Sequence, residues 1–138
     1  MEPLTLPGTF DSLKPIRDYV TVAASAAGLG QKETYRLCLA VDEIATNIVT
    51  HGYNKVGIAG DILVQARVDE ENLTITLEDT AAPFDPRGKG RPDQIDAPPE
   101  ERPIGGLGVF LAMGGVDEFQ YEYVHKQNRN IFVMRRPS

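Results

Sequence analysis

Residues 73–78 read Leu-Thr-Ile-Thr-Leu-Glu, a strict apolar–polar alternation. A period of two places Leu73, Ile75 and Leu77 on one side of a strand and Thr74, Thr76 and Glu78 on the other. One face of that strand is dry, so the chain must supply a layer to cover it. A second strand over Asp61–Val68 precedes it, joined by Asp69-Glu70-Glu71-Asn72, a polar connection of hairpin length. The covering layer is legible upstream. Leu37, Val41, Ile44 and Ile48 recur at helical spacing within Gln31–Thr50, and Gly52 is placed to stop that helix. A first helix runs from a cap at Asp11 or Ser12 to about Ala27, with Leu13, Ile16, Val20 and Ala23/Ala24 on one face and Gly28 and Gly30 at its end.

The remaining segments complete the layers. Leu4-Thr5-Leu6 reads as a short edge strand punctuated by Pro7-Gly8, and Asn54–Gly60 as a loop. Residues 83–103 hold six of the ten prolines and almost no core-forming residues, a length of loop that in a compact domain is usually a functional lid or disordered. Gly106–Met113 reads as a short helix ended by Gly114-Gly115, and Asp117–Val124 with Asn130–Arg135 as a closing hairpin. The order β-α-α-β-β-lid-α-β-β predicts an α+β fold, a two-layer α/β sandwich with a mostly antiparallel sheet. At 138 residues, one domain spanning 1–138 is expected.

Composition bounds the function classes. A net charge of -6 lacks the electrostatic footprint of a nucleic-acid binder, so no direct nucleic-acid binding is expected. No apolar run reaches the ~18–20 residues of a membrane span, and Met1–Phe10 has no basic segment followed by an apolar stretch. The expectation is a cytoplasmic protein without a membrane partner. The single cysteine, Cys38, falls in a helical pattern where a small buried, inert residue fits.

Three constellations can carry chemistry. Glu43 and Asn47 lie four apart on the second helix, and His51 continues their row. Such a pair is compatible with a solvated polar stripe. Read functionally, Asn47 supplies an oxygen ligand to Mg²⁺ and Glu43 orients or deprotonates an attacking hydroxyl. Asp79 ends the second hairpin strand and is followed by small residues. It can be an ordinary turn former, or it can accept a hydrogen bond from an exocyclic amine while the backbone stays close to a flat ring. Gly105-Gly106-Leu107-Gly108 opens a short apolar helix, where backbone N–H groups and the helix dipole can meet a phosphate.

In this order, the segments LAVDEIATNIVTHGY (Leu39–Tyr53), LEDTAAPFDP (Leu77–Pro86), GGLGVFL (Gly105–Leu111) and NRNIFVMRR (Asn128–Arg136) resemble the anti-sigma-factor serine kinases of the GHKL ATPase superfamily, which share the Bergerat ATP-binding fold. The resemblance covers nearly the whole chain. It implies ATP and Mg²⁺ as cofactors, Asn47 as the Mg²⁺ ligand and Glu43 as the catalytic carboxylate. It implies Asp79 as the residue that reads adenine, with Ala81 beside it. Gly105, Gly106, Leu107, Gly108 and Val109 fall on the phosphate loop, Asn130 near the adenine side, and 85–103 on the ATP lid. Arg17 matches a position used for docking the protein substrate. The implied activity is phosphorylation of a STAS-type anti-anti-sigma protein and sequestration of a sigma factor or analogous regulator by a homodimer.

The chain departs from the family at residue 81, where alanine stands in place of the usual glycine. A methyl there could crowd the ring or exclude a backbone with positive φ. The lid also has Pro103 and Ile104 between Arg102 and Gly105, leaving the cation that meets the terminal phosphate open. The rival reading is therefore a non-catalytic partner-switching module with a degenerate pocket. A third reading, an ATPase or histidine-kinase catalytic domain cut from a larger protein, fits less well, because the resemblance runs from Leu4 to Arg136 without an upstream dimerisation-histidine helix. Among other residues, His51 is expected to cap the helix or pack on Tyr53. Phe84 should anchor the lid base by burial, and Tyr121 and Tyr123 should pack in the core or on the sheet. Lys126, Arg129, Arg135 and Arg136 should form a solvated strand end.

Overall fold

The computed structural model describes residues 1–89 and 112–137. Five strands form one sheet: β1 (Leu4–Pro7), β2 (Asp61–Val68), β3 (Asn72–Asp79), β4 (Glu118–Val124) and β5 (Gln127–Arg135). Their spatial order is β1-β2-β3-β5-β4, and every adjacent pair is antiparallel. Helices α1 (Leu13–Ala26) and α2 (Gln31–Asn47) cover one face. This is the expected α+β two-layer sandwich.

The alternation does what its period requires. Leu73, Ile75, Leu77 and Asp79 of β3 are buried, as are Ile62, Val64 and Ala66 of β2 and Asn128, Asn130, Phe132 and Met134 of β5. Against this face α1 lays Ile16, Val20, Ala23 and Ala24, and α2 lays Leu37, Ala40, Val41 and Ile44. The small residues on α1 let the helices lie close to each other and to the sheet. Helix α1 ends as its sequence implies. Gly28 takes φ +82°, its N–H donates to the Ser25 carbonyl, and the Leu29 N–H donates to the Ala24 carbonyl, the paired bonds of a Schellman cap.

Four details differ from the sequence expectation. Ser12 does not cap α1; its hydroxyl donates to the Pro7 carbonyl at 2.5 Å and ties the end of β1 to a 3₁₀ turn over Phe10–Ser12. Gly52 does not stop the second helix. The helix widens into a π-helical segment over Ile48–Asn54 that runs through Gly52. The last strand begins at Gln127 rather than Asn130, so Asn128 lies within the ladder opposite Asp79. Cys38 is half-buried, 3.5 Å from the Thr21 hydroxyl across the helix pair.

The C-terminal basic cluster is also more than a solvated end. Arg136 donates to the Ala27 carbonyl at 2.9 Å and to the Asp69 carbonyl at 2.7 Å, clamping the end of α1 to the β2–β3 turn. Arg129 pairs with Glu78 and Glu122 on the outer sheet face. Among the described residues no helix is long and apolar enough to cross a membrane.

Candidate active site

A cavity of about 440 Å³ opens between the C-terminal half of α2, its π-helical extension and the end of β3. Ile44, Asn47, Ile48, His51 and Gly52 form its helix wall. Asp79, Ala81, Asn128 and Asn130 form its sheet wall, and Phe84 and Pro86 lie at its rim. Each wall follows from local structure. A row of residues three or four apart on α2 faces the sheet end, and the inward residues of β3 and β5 run out of apolar side chains there and become Asp79, Asn128 and Asn130.

Asp79 is the buried carboxylate of the site. It is 3 % exposed. Its Oδ1 accepts the Ala81 N–H at 3.0 Å and the Asn128 Nδ2–H at 3.0 Å. Both donors use the same oxygen, so Oδ2 is left for another partner. Burial pushes the carboxyl above the usual carboxylate range, and the two donors partly offset that by favouring the charged form.

Asn128, which the shortened strand expectation left out, organises this corner. Its amide nitrogen also donates to the Ala81 carbonyl at 3.1 Å and the Ala82 carbonyl at 3.0 Å. Its Oδ1 accepts the Phe84 N–H at 3.0 Å and the Tyr121 hydroxyl. One side chain therefore shapes the whole turn after β3. A signal for it existed: extending the β5 alternation two residues back puts Asn128 on the same face as Asn130, Phe132 and Met134. Tyr53 fixes the turn from the other side. Its hydroxyl donates to the Asp61 carbonyl at 2.9 Å and accepts the Thr80 N–H at 2.9 Å. Its ring lies where side chains at Gly8 and Gly60 would stand, so both positions must be glycine.

Asn47 and Asn130 both line the cavity. The Asn47 Nδ2 and the Asn130 Oδ1 are buried and have no hydrogen-bond partner among the described residues. Buried amides without partners are costly, so these two ends ask for a ligand or water. Glu43 stands one turn before Asn47 on α2, half-buried, and is not among the residues lining the cavity. Burial raises its carboxyl above the usual range, and the neighbouring Asp42 adds to the rise. His51 lines the cavity, in the last turn of the π-helical segment.

Ala81 is buried, and its φ is not positive. The anticipated backbone conflict is absent; only the volume of the methyl remains. Phe84 is not a buried anchor, being 38 % exposed at the rim. Tyr121 is half-buried through its bond to Asn128, whereas Tyr123 is exposed. Arg17 lies apart from the cavity on the exposed side of α1, paired with Asp42 of α2 at 3.0 Å. Gly105, Gly106, Leu107, Gly108 and Val109 lie outside the described residues. So does the expected lid beyond Lys89; its described start carries a 3₁₀ turn over Pro86–Lys89 and an Arg87–Asp85 pair at 2.7 Å.

The sequence pattern of the histidine kinase-like ATPase domain family matches residues 6–136. The chain belongs to that family. A protein named serine-protein kinase RsbW from Bacillus cereus strain AH187 is 28 % identical over 135 residues, covering 96 % of this chain and 82 % of its own. The protein of that name from Bacillus anthracis strain CDC 684 / NRRL 3495 matches to the same extent. Among solved structures, the histidine kinase domain of the Erythrobacter litoralis EL346 blue-light activated histidine kinase superposes with a TM-score of 0.52 at 18 % identity. That match takes in 88 % of this chain and 59 % of the kinase chain, and at this identity it speaks for the fold alone. The GHKL-type resemblance read from Leu39–Tyr53 and Leu77–Pro86 therefore holds for the domain as a whole.

Proposed function

We propose that this chain is an anti-sigma-type serine kinase that binds Mg·ATP in the cavity between α2 and the end of β3. One observation carries the reading: the buried Asp79, with one carboxylate oxygen saturated by Ala81 and Asn128, faces a cavity whose opposite wall holds Asn47. The free oxygen of such a carboxylate suits the exocyclic amine of adenine, and the adjoining Ala81–Ala82 backbone suits a flat ring. The orphaned amide of Asn130 lies on the same wall and suits the polar edge of the base.

The Asn47 wall also suits a Mg²⁺ ion brought in with the nucleotide. Mg²⁺ keeps several waters and takes few protein ligands beside the nucleotide phosphates. A single hard oxygen from Asn47 would be enough of a protein contribution, and its unpartnered Nδ2 would be left to donate to a phosphate or a water. When bound, the ion neutralises charge on the phosphoryl group. The chain's own part is acid–base work and positioning. Glu43 takes the proton from the attacking serine hydroxyl, and the upward shift in its carboxyl brings its basicity nearer to the operating pH. Gly105, Gly106, Leu107, Gly108 and Val109 would meet the phosphates under the 85–103 lid.

The relatives named serine-protein kinase support a serine as the acceptor; on our reading that serine belongs to a STAS-type anti-anti-sigma protein, and the chain sequesters a sigma factor or analogous regulator as a cytoplasmic homodimer. Arg17 suits a docking role, since its guanidinium is half-exposed and a partner's carboxylate would compete with Asp42 for it. Ala81 favours one rival: a partner-switching module that has lost its nucleotide. Calorimetric titration of ATP with Mg²⁺ and with EDTA separates the two. Binding that needs Mg²⁺ and disappears in Asp79→Asn and Asn47→Ala supports the kinase, to be followed by transfer to STAS-domain candidates. An absence of heat together with no ATP-dependent rise in melting temperature in the wild-type protein rules the nucleotide reading out.

A further inference from the structure

Gly52 and Ala81 come from opposite walls of the cavity and face each other. A Cβ built on Gly52 would stand 3.0 Å from the Ala81 Cβ. The next nearest atom among the described residues is Ile48 Cγ2 at 3.8 Å, an ordinary contact. Among the described residues the methyl of residue 81 is thus the close obstacle to a side chain at residue 52. It cannot easily move aside. The Ala81 N–H is held by Asp79 Oδ1 at 3.0 Å and its carbonyl by Asn128 Nδ2 at 3.1 Å. Nor does backbone conformation require glycine at 52, since Gly52 has no positive φ and lies inside a helical segment. In such a position alanine is ordinarily preferred.

We propose that Gly52 and Ala81 form a steric couple, one methyl shared between two positions, that sets the spacing of the cavity walls and thereby positions Asp79 against the nucleobase. Residue 52 is glycine because residue 81 is alanine. Gly52 is on this account a positioning residue that acts through Ala81 and the hydrogen bonds on its backbone. The part that concerns the base rests on the ATP site proposed above; the steric part does not.

The test is a four-member cycle of wild type, Gly52→Ala, Ala81→Gly and the double variant. Two quantities are read: melting temperature without nucleotide, and affinity for ATP and for GTP at a temperature where all four are folded. In the wild-type background Gly52→Ala lowers the melting temperature by roughly 3–6 °C. In the Ala81→Gly background the sign reverses. The same change is neutral or raises it by ~1–3 °C, because the clash is gone and the helix preference remains. Additive melting shifts overturn the couple. For the base, Gly52→Ala weakens ATP roughly tenfold while GTP, which lacks the amine that Asp79 would read, changes little, and the double variant restores ATP. A purely structural role would move the melting temperature and leave the ATP-to-GTP ratio untouched, which would refute the positioning part. If the wild-type protein binds no ATP, the proposed function fails while the melting cycle still decides the couple.

Discussion

Replacing Asn128 by alanine removes five hydrogen bonds at once, and they differ in how easily water can take them over. Those to Asp79 Oδ1 and the Ala81 carbonyl are buried. Those involving the Ala82 carbonyl, the Phe84 N–H and the Tyr121 hydroxyl are partly open. Each buried group left short of a partner costs about 1–3 kcal/mol, and solvent largely replaces the open ones. The expected loss is about 3–5 kcal/mol, a large share of the ~5–15 kcal/mol of a typical domain. It should lower the melting temperature by on the order of 10–20 °C.

The loss depends on pH, and its sign follows from Asp79. Burial already holds that carboxyl above its ordinary value of 3.8, and Asn128 is a group that lowers it, so the variant raises it further. The folded state then keeps its proton more tightly than the unfolded state, and stability falls as pH rises above that ordinary value. Well below it Asp79 is protonated in both states and this pH-dependent part of the penalty vanishes, leaving the loss of the other bonds. Urea unfolding of wild type and Asn128→Ala at pH 4 and pH 7 should show a deficit that widens towards neutrality at unchanged m. Asn128→Asp sharpens the test, because it sets a second carboxylate against Asp79. It should be worse than alanine at pH 7 and approach it at pH 4. A deficit under 1 kcal/mol in Asn128→Ala, or an aspartate no worse than alanine at pH 7, refutes this account of the corner.

Three further variants have expected outcomes. Glu43→Gln should cut serine phosphorylation roughly 10²–10⁴-fold. The same change should raise the melting temperature at pH 7, because an upward-shifted carboxyl weakens the fold once the unfolded chain ionises; the gain should fade towards pH 4.5, its ordinary value. Tyr53→Phe leaves the Thr80 N–H and the Asp61 carbonyl without their shared hydroxyl and should cost about 1–2 kcal/mol by urea unfolding. The turn between β4 and β5 holds His125 and Lys126 at φ 53° and 62°, a left-handed pair that suits Asn-Gly. His125→Asn with Lys126→Gly should therefore stabilise by about 1–2 kcal/mol in the same assay.

What could be read in advance was the part governed by short-range period. The β3 alternation and the α2 row gave both layers, and Asp79 and Asn47 fell at places those periods assign to one end of the sandwich. What could not be read depends on atoms distant in sequence. Gly52 looks like a helix terminator, yet the backbone passes through it as a π-helix, and across the cavity it faces the methyl of Ala81. Ser12 looks like a cap, yet the Pro7 carbonyl is nearer. Tyr53 looks like an ordinary aromatic near a helix end until Gly8 and Gly60 are seen to clear space for its ring.

The alanine at position 81 makes the same point about function. Compared with a family pattern that has glycine there, it reads as damage. Its effect is decided by two other facts: whether the backbone needs positive φ, and what stands opposite the methyl. Residue 81 has no positive φ, and opposite it stands a glycine. The methyl therefore has a place, and the pocket keeps its buried carboxylate, its bracing amide and its opposing asparagine. A substitution that removes a family's glycine is compatible with a working site when a second glycine across the cavity makes room, and the pair at 52 and 81 has that geometry.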